Sequence, residues 1–474
     1  MNPSSGNTTE AFRTEKDSMG EMKVPAAARW GPQTQRAVEN FPISGEPMPA
    51  AFVRALGLVK AAAARVNAQL GLVDAAMAKA IETAAMEVAA GRWDAEFPID
   101  VFQTGSGTSS NMNANEVIAR LAGEASQQKV HPNDHVNFGQ SSNDVIPTVL
   151  HVSAVIAIEQ DLLPALEGLK QTLEEKARAF DGVIKTGRTH LMDATPIRLG
   201  QEFSGYASQV EHSIERVKKT LPDLRELAIG GTAVGTGLNT HPEFGRRMAA
   251  EIGVLARTEF VEARNHFEAQ GAQDGALWAS AALNSTAASL MKIANDIRLM
   301  NSGPRCGLGE ITLPSIQPGS SIMPGKVNPV ICEAVIMVGA QVMGNHVAIT
   351  VGSQWGQLDL NTMLPMMARN LLESIELLAA ASRAFVDKSL RAMVANEETC
   401  RSYVEISPSM ATALNPLIGY DAAAEIAKRS FKDRRPVREL AKEMTQLSDR
   451  DITQALDPRR QTEPGLDLGG GAGG

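Results

Sequence analysis

Apolar residues recur at steps of three and four along much of the chain, which is the spacing of one helix face. One stripe begins at Val149 and continues to Leu173, and a second runs without interruption from Leu199 to Leu221. An Ala-rich segment from Ala50 to Gly91, with a break near Gly71, is also helical in pattern. The chain is therefore predicted to be mainly α, with long helices that each bury one face.

The segment from Ala334 to Leu358 contains no Asp, Glu, Lys or Arg. Gln341, Asn345, His346 and several glycines interrupt its apolar sequence, which argues against a membrane span. A helix that is apolar on every side has to be buried on every side. Because the other helices of one chain already pack together, we expect a second subunit to supply the remaining cover. We therefore predict a homo-oligomer.

The two ends of the chain depart from this helical pattern. Residues 1–11 and the Gly-rich stretch that ends at residue 474 are predicted to be disordered. Residues 12–49 contain five prolines, and we predict mostly irregular structure there.

Composition limits the partners and the compartment. The formal net charge of −9 argues against nucleic acid or an anionic membrane as a partner, so an anionic substrate must be held by local groups. The three cysteines, at positions 306, 332 and 400, are far apart and lack metal-ligand spacing, which favours reduced thiols. No signal or transit sequence is recognisable. We predict a cytoplasmic protein without a metal or other cofactor.

The most marked polar stretch is GSSIMPGKVNP, residues 319–329. Its glycines and prolines favour a loop, and Pro329 suits the first position of a following helix with Asn328 as the N-cap. The start of a helix favours an anion. A Walker A phosphate loop is excluded, because five residues separate Gly319 from Gly325 and Val327 replaces the required Ser or Thr. These residues alone fit either a connector or an anion site.

Other polar stretches interrupt the helical pattern. Residues 102–113 (FQTGSGTSSNMN) place hydroxyls and amides at a predicted helix start, which suits a capping loop or an anion site. His190 lies within TGRTHLMDATP, and an imidazole titrates near neutrality, as general acid/base chemistry requires. A structural histidine would look the same. The turn at His131 and Pro132, taken alone, is more typical of a structural element.

Together with SSND at 141–144, these stretches resemble the signature regions of the fumarase/aspartase/argininosuccinate lyase superfamily, in the same order. The resemblance covers about Phe12 to Leu456, and Gly325 and Ser142 are similar to the fumarase branch. It implies a long-helix bundle with smaller N- and C-terminal domains, which we place at 1–143, 144–397 and 398–474.

The resemblance also implies an activity, which is the reversible hydration of fumarate to L-malate. The reaction would proceed by acid/base catalysis through an aci-carboxylate, without a cofactor. The assembly that the resemblance implies is a homotetramer whose active sites each draw on three subunits.

The same resemblance implies roles for individual residues. Ser320 would be the base, and backbone donors of its loop would make its hydroxyl acidic enough to ionise. His190, oriented by Glu333, would activate or protonate water. The implied substrate-binding residues are Ser106, Gly107, Thr108, Ser141, Ser142, Asn143, Thr189, Ser321, Lys326, Val327 and Asn328. A second, non-catalytic dicarboxylate site is implied at His131, Pro132, Asn133 and Asp134, where Gln128 and His135 depart from residues frequent in the family.

Three alternatives remain at this point. An aspartate ammonia-lyase would share the architecture, but Gly325 and Ser142 favour water as the leaving group. An argininosuccinate lyase would leave the TGSGT and GRTHLMDATP stretches unexplained. A catalytically silent structural protein on the same scaffold is disfavoured, because all four implied catalytic or charged residues are present: Ser320, His190, Lys326 and Glu333.

Overall fold

The computed structural model describes residues 11–465. The predicted Gly-rich disordered end lies outside the described residues, as does the predicted leader apart from its last residue. The described chain is mainly α with long helices, as the hydrophobic periodicity predicted.

The helices are α1 Pro32–Asn40, α2 Ala50–Gln69, α3 Ala75–Ala89, α4 Thr108–Ser126, α5 Ser142–Ala157, α6 Leu163–Ala179, α7 Leu199–Leu224, α8 Phe244–Ala256, α9 His266–Gly271, α10 Asp274–Met300, α11 Val330–Gln354, α12 Leu364–Phe385, α13 Glu397–Ile406, α14 Asn415–Ile418, α15 Tyr420–Asp433, α16 Val437–Met444 and α17 Asp449–Ala455. The strands are β1 Phe12–Asp17, β2 Gly20–Pro25, β3 Ile184–Thr189, β4 Met192–Arg198, β5 Glu226–Leu227, β6 Val261–Glu262, β7 Ile311–Thr312, β8 Gly356–Gln357, β9 Leu360–Asn361 and β10 Val394–Ala395.

The strands of residues 11–465 form two-stranded sheets only. Four of these pairs are antiparallel: β1 with β2, β3 with β4, β8 with β9, and β7 with β10. The fifth, β5 with β6, is parallel. Such short ribbons have no face large enough to form a core, so the core is formed by packing between helices.

The chain divides into two compact units, each built from three segments. Unit 1 comprises the chain up to Pro164, Glu215–Ala287 and Val338–Ala379, and unit 2 comprises Ala165–Ile214, Ala288–Met337 and the chain from Ala380. The division into domains at 1–143, 144–397 and 398–474 stays a prediction about parts that fold independently.

In unit 1, α2 packs against α3, α5 and α8. Its buried residues include Phe52 and Leu56, and the Ala-rich face predicted between Ala50 and Gly91 lies in this core. Gly57 lets the helices approach closely, because a Cβ there would lie 2.5 Å from the backbone nitrogen of Ala89. Close packing of α2 on α3 therefore depends on small residues.

In unit 2, the aromatic rings of Phe180 and Phe203 pack edge to face with centroids 5.5 Å apart. The C-terminal helices enclose a second cluster of buried apolar side chains, which includes Leu414, Ile426 and Leu440. The 3-10 segment Pro408–Leu414 contacts both α15 and β4. The C-terminal segment of this unit therefore supports the β3–β4 hairpin.

The prediction of mostly irregular structure over residues 12–49 was wrong. β1 and β2 form a hairpin there, and α1 follows. The prolines are consistent with these elements, since Pro25 ends β2 and Pro32 occupies the first turn of α1, where no backbone donor is needed. Arg13 ties the hairpin down, because its guanidinium donates to the carbonyl oxygens of Pro25 and Trp30 at 2.5 Å each.

Helix α11 matches the charge-free segment of the sequence and leaves an apolar side uncovered. Met337 and Val347 are 66% and 64% exposed. Its buried side is also largely apolar, with Val335, Val342 and Ile349 each 3% exposed or less. On the same side, Asn345 donates to a Glu373 carboxylate oxygen at 2.8 Å. By length and composition alone, Val330–Gln354 and Ser142–Ala179 could each cross a membrane. The apolar 18-residue stretch within each of them is 28% and 56% buried, respectively.

Candidate active site

Three hydroxyl groups predicted to bind substrate are brought together in unit 1, and we call Ser106, Thr108 and Ser142 the hydroxyl cluster. Thr108 Oγ1 lies 2.8 Å from Ser106 Oγ and 2.7 Å from Ser142 Oγ. Thr108 is the first residue of α4 and Ser142 the first residue of α5. Two helix N-termini therefore meet at the cluster, and their free N–H groups and dipoles favour an anionic group.

Glycine and a cap fix the two helix starts. Gly107 precedes α4 with φ of 69°, a left-handed conformation that favours glycine. Gly105 has no room for a side chain, since a Cβ would lie 1.9 Å from the carbonyl oxygen of Thr362. At α5, Ser141 and Asp144 form a reciprocal capping box. Backbone geometry thus places the hydroxyls before any ligand is present.

Asn143 and Asp144 connect the start of α5 to the Gly-rich segment at 230–233. The side-chain amide of Asn143 donates to the carbonyl oxygen of Ala233 at 2.8 Å. Asp144 accepts from the backbone nitrogens of Gly230 (3.1 Å) and Thr232 (2.9 Å). The segment at 230–233 therefore supports the substrate-binding residues predicted at 141–143.

A buried lysine contacts the segment that precedes α5, and the sequence analysis did not assign it. Lys60 donates to side-chain oxygens of Asn137 (2.9 Å) and Gln140 (3.0 Å). Burial lowers the pKa of Lys60 to about 7, and burial raises the pKa of Asp144 to about 6. The Ala-rich helix around Lys60 gave no signal for it, since its partners lie far along the chain.

The serine loop, residues 319–328, lies in unit 2 and follows the local geometry that the resemblance implied. Ser320 Oγ accepts hydrogen bonds from the backbone nitrogens of Met323 (3.0 Å) and Ile322 (3.2 Å). Donors of this kind stabilise the deprotonated hydroxyl over the neutral one. Ser321 and Val327, also predicted to bind substrate, are exposed.

Lys326 and Asn328 close the loop. Lys326 Nζ donates to Asn328 Oδ1 at 2.7 Å, and the Asn328 amide donates to the carbonyl oxygen of Gly319 at 3.0 Å. The following helix, α11, begins at Val330, one residue later than the sequence predicted, and Pro329 immediately precedes it. The carbonyl oxygen of Pro329 accepts from the backbone nitrogen of Glu333, which fits an N-cap rather than the first helical position.

His190 lies at the tip of a β-hairpin, where the sequence indicated only a break between helices. His190 and Leu191 connect β3 to β4 with φ of 56° and 61°. Two successive left-handed residues are typical of the tight turn that matches strand twist. Thr189 and His190 are exposed, and within residues 11–465 the His190 ring has no hydrogen-bonding partner.

The predicted pairing of Glu333 with His190 does not occur within one chain. Glu333 lies in the first turn of α11 and is partly buried, and its carboxylate has no hydrogen-bonding partner among residues 11–465. The described part of the chain therefore brings the hydroxyl cluster together but provides no side-chain hydrogen-bonding partner for Glu333 or His190.

The residues of the predicted second dicarboxylate site lie at a separate cavity of about 610 Å³ in unit 1. His131, Pro132 and Asn133 line it. The charged residues of the lining are Lys16, Arg120, Glu15, Asp17 and Glu116. Asp134 does not line it but lies 3.2 Å from His131 Nδ1. His135 accepts from the backbone nitrogen of His131 at 2.9 Å, so this departure from the family pattern serves the turn itself.

Comparisons with known proteins agree with this architecture. The family model described as "Lyase" matches residues 20–344, and the model described as "Fumarase C C-terminus" matches residues 410–463. The fold and the site define a lyase of the superfamily that the signature stretches resemble.

Individual relatives show to which branch of this superfamily the chain is similar. Fumarate hydratase class II of Halobacterium salinarum is 57% identical, covering 97% of this chain and 98% of the relative, and that of Xylella fastidiosa is 53% identical with 99% of both covered. The crystal structure of class II fumarase from Schistosoma mansoni has a TM-score of 0.92 at 40% identity, with 95% of this chain and 99% of that chain covered. Cobalt-bound fumarate lyase:delta crystallin from Brucella melitensis has a TM-score of 0.91 at 42% identity, covering 96% of this chain and 100% of that chain. The chain belongs to the class II fumarate hydratase family and is therefore a hydro-lyase.

Proposed function

We propose that this enzyme interconverts fumarate and L-malate with Ser320 as the base that removes the C3 proton. The observation that carries the proposal is the pair of backbone N–H groups directed at Ser320 Oγ, at 3.0 and 3.2 Å. They stabilise the alkoxide that accepts the proton. A serine without such donors would be too weak a base at neutral pH.

Removal of the C3 proton places negative charge on the neighbouring carboxylate, as an aci-carboxylate. Stabilising this charge is the largest task of the active site. The hydroxyl cluster, the N-termini of α4 and α5, and Asn143 bind the substrate carboxylates. Lys326, Asn328, Ser321 and Thr189 supply further donors and one cation, and the backbones of Gly107, Ser141 and Val327 complete the binding surface.

His190 acts on the opposite side of the substrate, where it protonates the leaving hydroxyl or activates the incoming water. Glu333 orients the imidazole and raises its basicity. Because both side chains lack partners within residues 11–465, another subunit is the source of the pairing.

The enzyme acts as a homotetramer in which each active site takes residues from three chains. Support comes from the uncovered apolar side of α11, where Met337 and Val347 are more than half exposed. A second apolar surface of another copy would bury these side chains, at roughly 25 cal/mol of stabilisation per Å². The same contact would complete sites whose histidine is exposed and whose serine is only half-buried in one chain.

Two further assignments belong to the same proposal. The cavity at His131, Pro132 and Asn133, with Asp134 supporting its histidine, takes a second dicarboxylate. The enzyme is cytoplasmic, which agrees with three free cysteines at positions 306, 332 and 400.

The test of the reaction is to follow the absorbance of fumarate after adding L-malate or L-aspartate separately. We expect fumarate from L-malate and none from L-aspartate, and activity that survives prolonged EDTA treatment. Ammonia release from aspartate at a rate comparable with malate turnover would instead identify an aspartate ammonia-lyase. Loss of activity on chelation, restored by one metal, would contradict the acid/base mechanism.

A further inference from the structure

A buried ion cluster lies below the hairpin that carries His190. Glu310 is fully buried and accepts a hydrogen bond from Arg188 Nη1 at 2.6 Å. Its other carboxylate oxygen lies 3.1 Å from Lys185 Nζ. Arg188 and Lys185 both belong to β3, so one carboxylate holds the same strand at two points. We call Lys185, Arg188 and Glu310 the Glu310 clamp.

The strand that the clamp holds is irregular between the two contacts. The pairing register of β3 with β4 shifts between Thr186 and Arg188, which marks a bulge. Gly187 is required there, since a Cβ would lie 2.6 Å from the carbonyl oxygen of Thr195. A bulge changes the direction of the side chains that follow it. The contacts of Lys185 and Arg188 on either side of Gly187 therefore determine how β3 leads into His190.

Glu310 is itself firmly placed by its backbone. Its nitrogen donates to the carbonyl oxygen of Met300 at 2.9 Å, and its carbonyl oxygen accepts from the nitrogen of Asn396 at 2.9 Å. β7 follows it directly and pairs with β10. The carboxylate therefore connects β3 to a fixed point in unit 2, on the segment that leads to the serine loop.

The other strand of the hairpin is anchored independently. Ser409 Oγ donates to the carbonyl oxygen of Asp193 at 2.9 Å, and Arg198 Nη1 donates to Thr462 Oγ1 at 2.9 Å. Loss of the clamp would therefore leave the hairpin attached through β4 while changing the path of β3.

We propose that Glu310 is a positioning residue, which fixes through Arg188 the orientation of the hairpin that presents His190. This inference rests on the proposed role of His190. Glu310 does not touch the substrate; it acts by restricting the hairpin to the orientation in which the imidazole reaches the reacting hydroxyl.

The first test replaces the charge of Glu310 without changing its shape. In Glu310→Gln we expect kcat for L-malate to fall on the order of tenfold or more, because small displacements of a catalytic group are costly. The KM should change less than kcat, because the hydroxyl cluster is untouched and Thr189 is the one proposed substrate donor that the hairpin shares with His190. The matched control is Glu202→Gln, which removes the carboxylate bonded to Lys185 at 3.0 Å but keeps the contact of Arg188 with Glu310. The control should keep kcat within about twofold.

The second test asks whether Glu310 acts through His190. Adding Glu310→Gln to His190→Asn should lower the residual rate no further, because effects of groups that act as a unit do not add. A role in general stability would lower it again by the same factor. Arg188→Lys is the companion variant if Glu310→Gln does not assemble, since lysine keeps the charge but lacks the planar fork. Its kcat should fall by a larger factor than its KM changes.

The outcomes separate the two hypotheses. Wild-type turnover in His190→Asn would contradict the proposed function itself. With His190→Asn inactive, a normal kcat in Glu310→Gln or in Arg188→Lys would overturn the clamp alone. An equal loss in Glu202→Gln, or a full further loss in the double variant, would also overturn it.

Discussion

The hydroxyl cluster and the two proposed catalytic segments, which are the serine loop and the hairpin tip that carries His190, differ in how much of their environment one chain provides. In the cluster, Thr108 is bonded to two other hydroxyls at 2.7 and 2.8 Å, and Ser106 is only 7% exposed. In contrast, Ser320 lies in an open loop and His190 at an exposed hairpin tip. Groups held by two helix starts are ordered before substrate arrives, whereas groups on loops depend on what surrounds them.

Under the proposed function, the hydroxyl cluster binds the substrate, whereas the serine loop and the hairpin tip carry out proton transfer. Carboxylate recognition needs donors whose positions the chain already determines. Under the proposed function, proton transfer needs Ser320 and His190 on opposite faces of one substrate, and their surroundings come from other subunits. Variants of the two regions should therefore fail in different ways.

The largest effect is expected in the catalytic segments. Ser320→Ala and His190→Asn should each lower kcat by about 10³-fold or more, which is about 4 kcal/mol of transition-state stabilisation. Circular dichroism and native mass should show unchanged helicity and assembly. Near-normal turnover in Ser320→Ala would mean that another residue is the base.

Mixing the same two variants tests whether the sites are shared. After dissociation and reassembly, some sites would take both segments from unmutated chains, so part of the activity should return. Each variant reassembled alone is the control. If mixed tetramers, verified by mass, stay as inactive as the parents, Ser320 and His190 come from one chain and the shared-site proposal is wrong.

A smaller effect is expected in the hydroxyl cluster. Thr108→Val removes the central hydroxyl at nearly constant shape. It should raise KM for L-malate by about 10- to 100-fold, since a hydrogen bond to a charged group contributes about 1.5–3 kcal/mol. The kcat should change less than KM, because this contact is made to substrate and transition state alike.

The neighbouring Thr104→Val is the matched control for Thr108→Val. Thr104 Oγ1 is paired with Ser109 Oγ at 2.9 Å in the same loop but lies outside the cluster. We expect its KM to stay near the wild-type value. Equal increases in KM for both variants would show that the loop as a whole matters, not the cluster.

The remaining effect is on stability rather than on turnover and concerns the buried Lys60. Burial lowers the pKa of Lys60 from 10.5 to about 7, so between these values the unfolded chain binds more protons than the folded chain. Stability should therefore rise with pH in this window, by up to about 1.4 kcal/mol per pH unit. Relative to Lys60→Met, the wild-type denaturation midpoint should increase between about pH 8 and about pH 10.

Lys79→Met is the control for the pH series, because the Lys79 side chain is 70% exposed. Its difference from wild type should not change across the same pH range. A constant difference between wild type and Lys60→Met would contradict the burial effect on Lys60.

The sequence predicted the long helices well. The stripe from Leu199 to Leu221 lies on α7, with Leu199, Phe203 and Val210 fully buried. The prediction failed over residues 12–49, where prolines were taken as breaks although they end a strand and begin a helix. Local composition could not distinguish a disrupted segment from short elements bounded by proline.

The candidate site, too, was predicted only as far as local residues determine it. The motifs located Ser320, His190 and the residues of the cluster, and local bonds such as that from Met323 N to Ser320 Oγ follow from the motif itself. Glu310 and Lys60 were missed, since their importance depends on Arg188 and Asn137, which lie far from them along the chain.

The sequence by itself determined the helical class, the loop chemistry of residues 319–328 and the family, because periodicity, capping and motif spacing act over a few residues. Tertiary structure alone decided that Thr108 meets Ser142, that Glu310 holds β3 and that one side of α11 remains uncovered. These features arise from contacts between distant segments, and no local pattern of residues specifies which segments pack together.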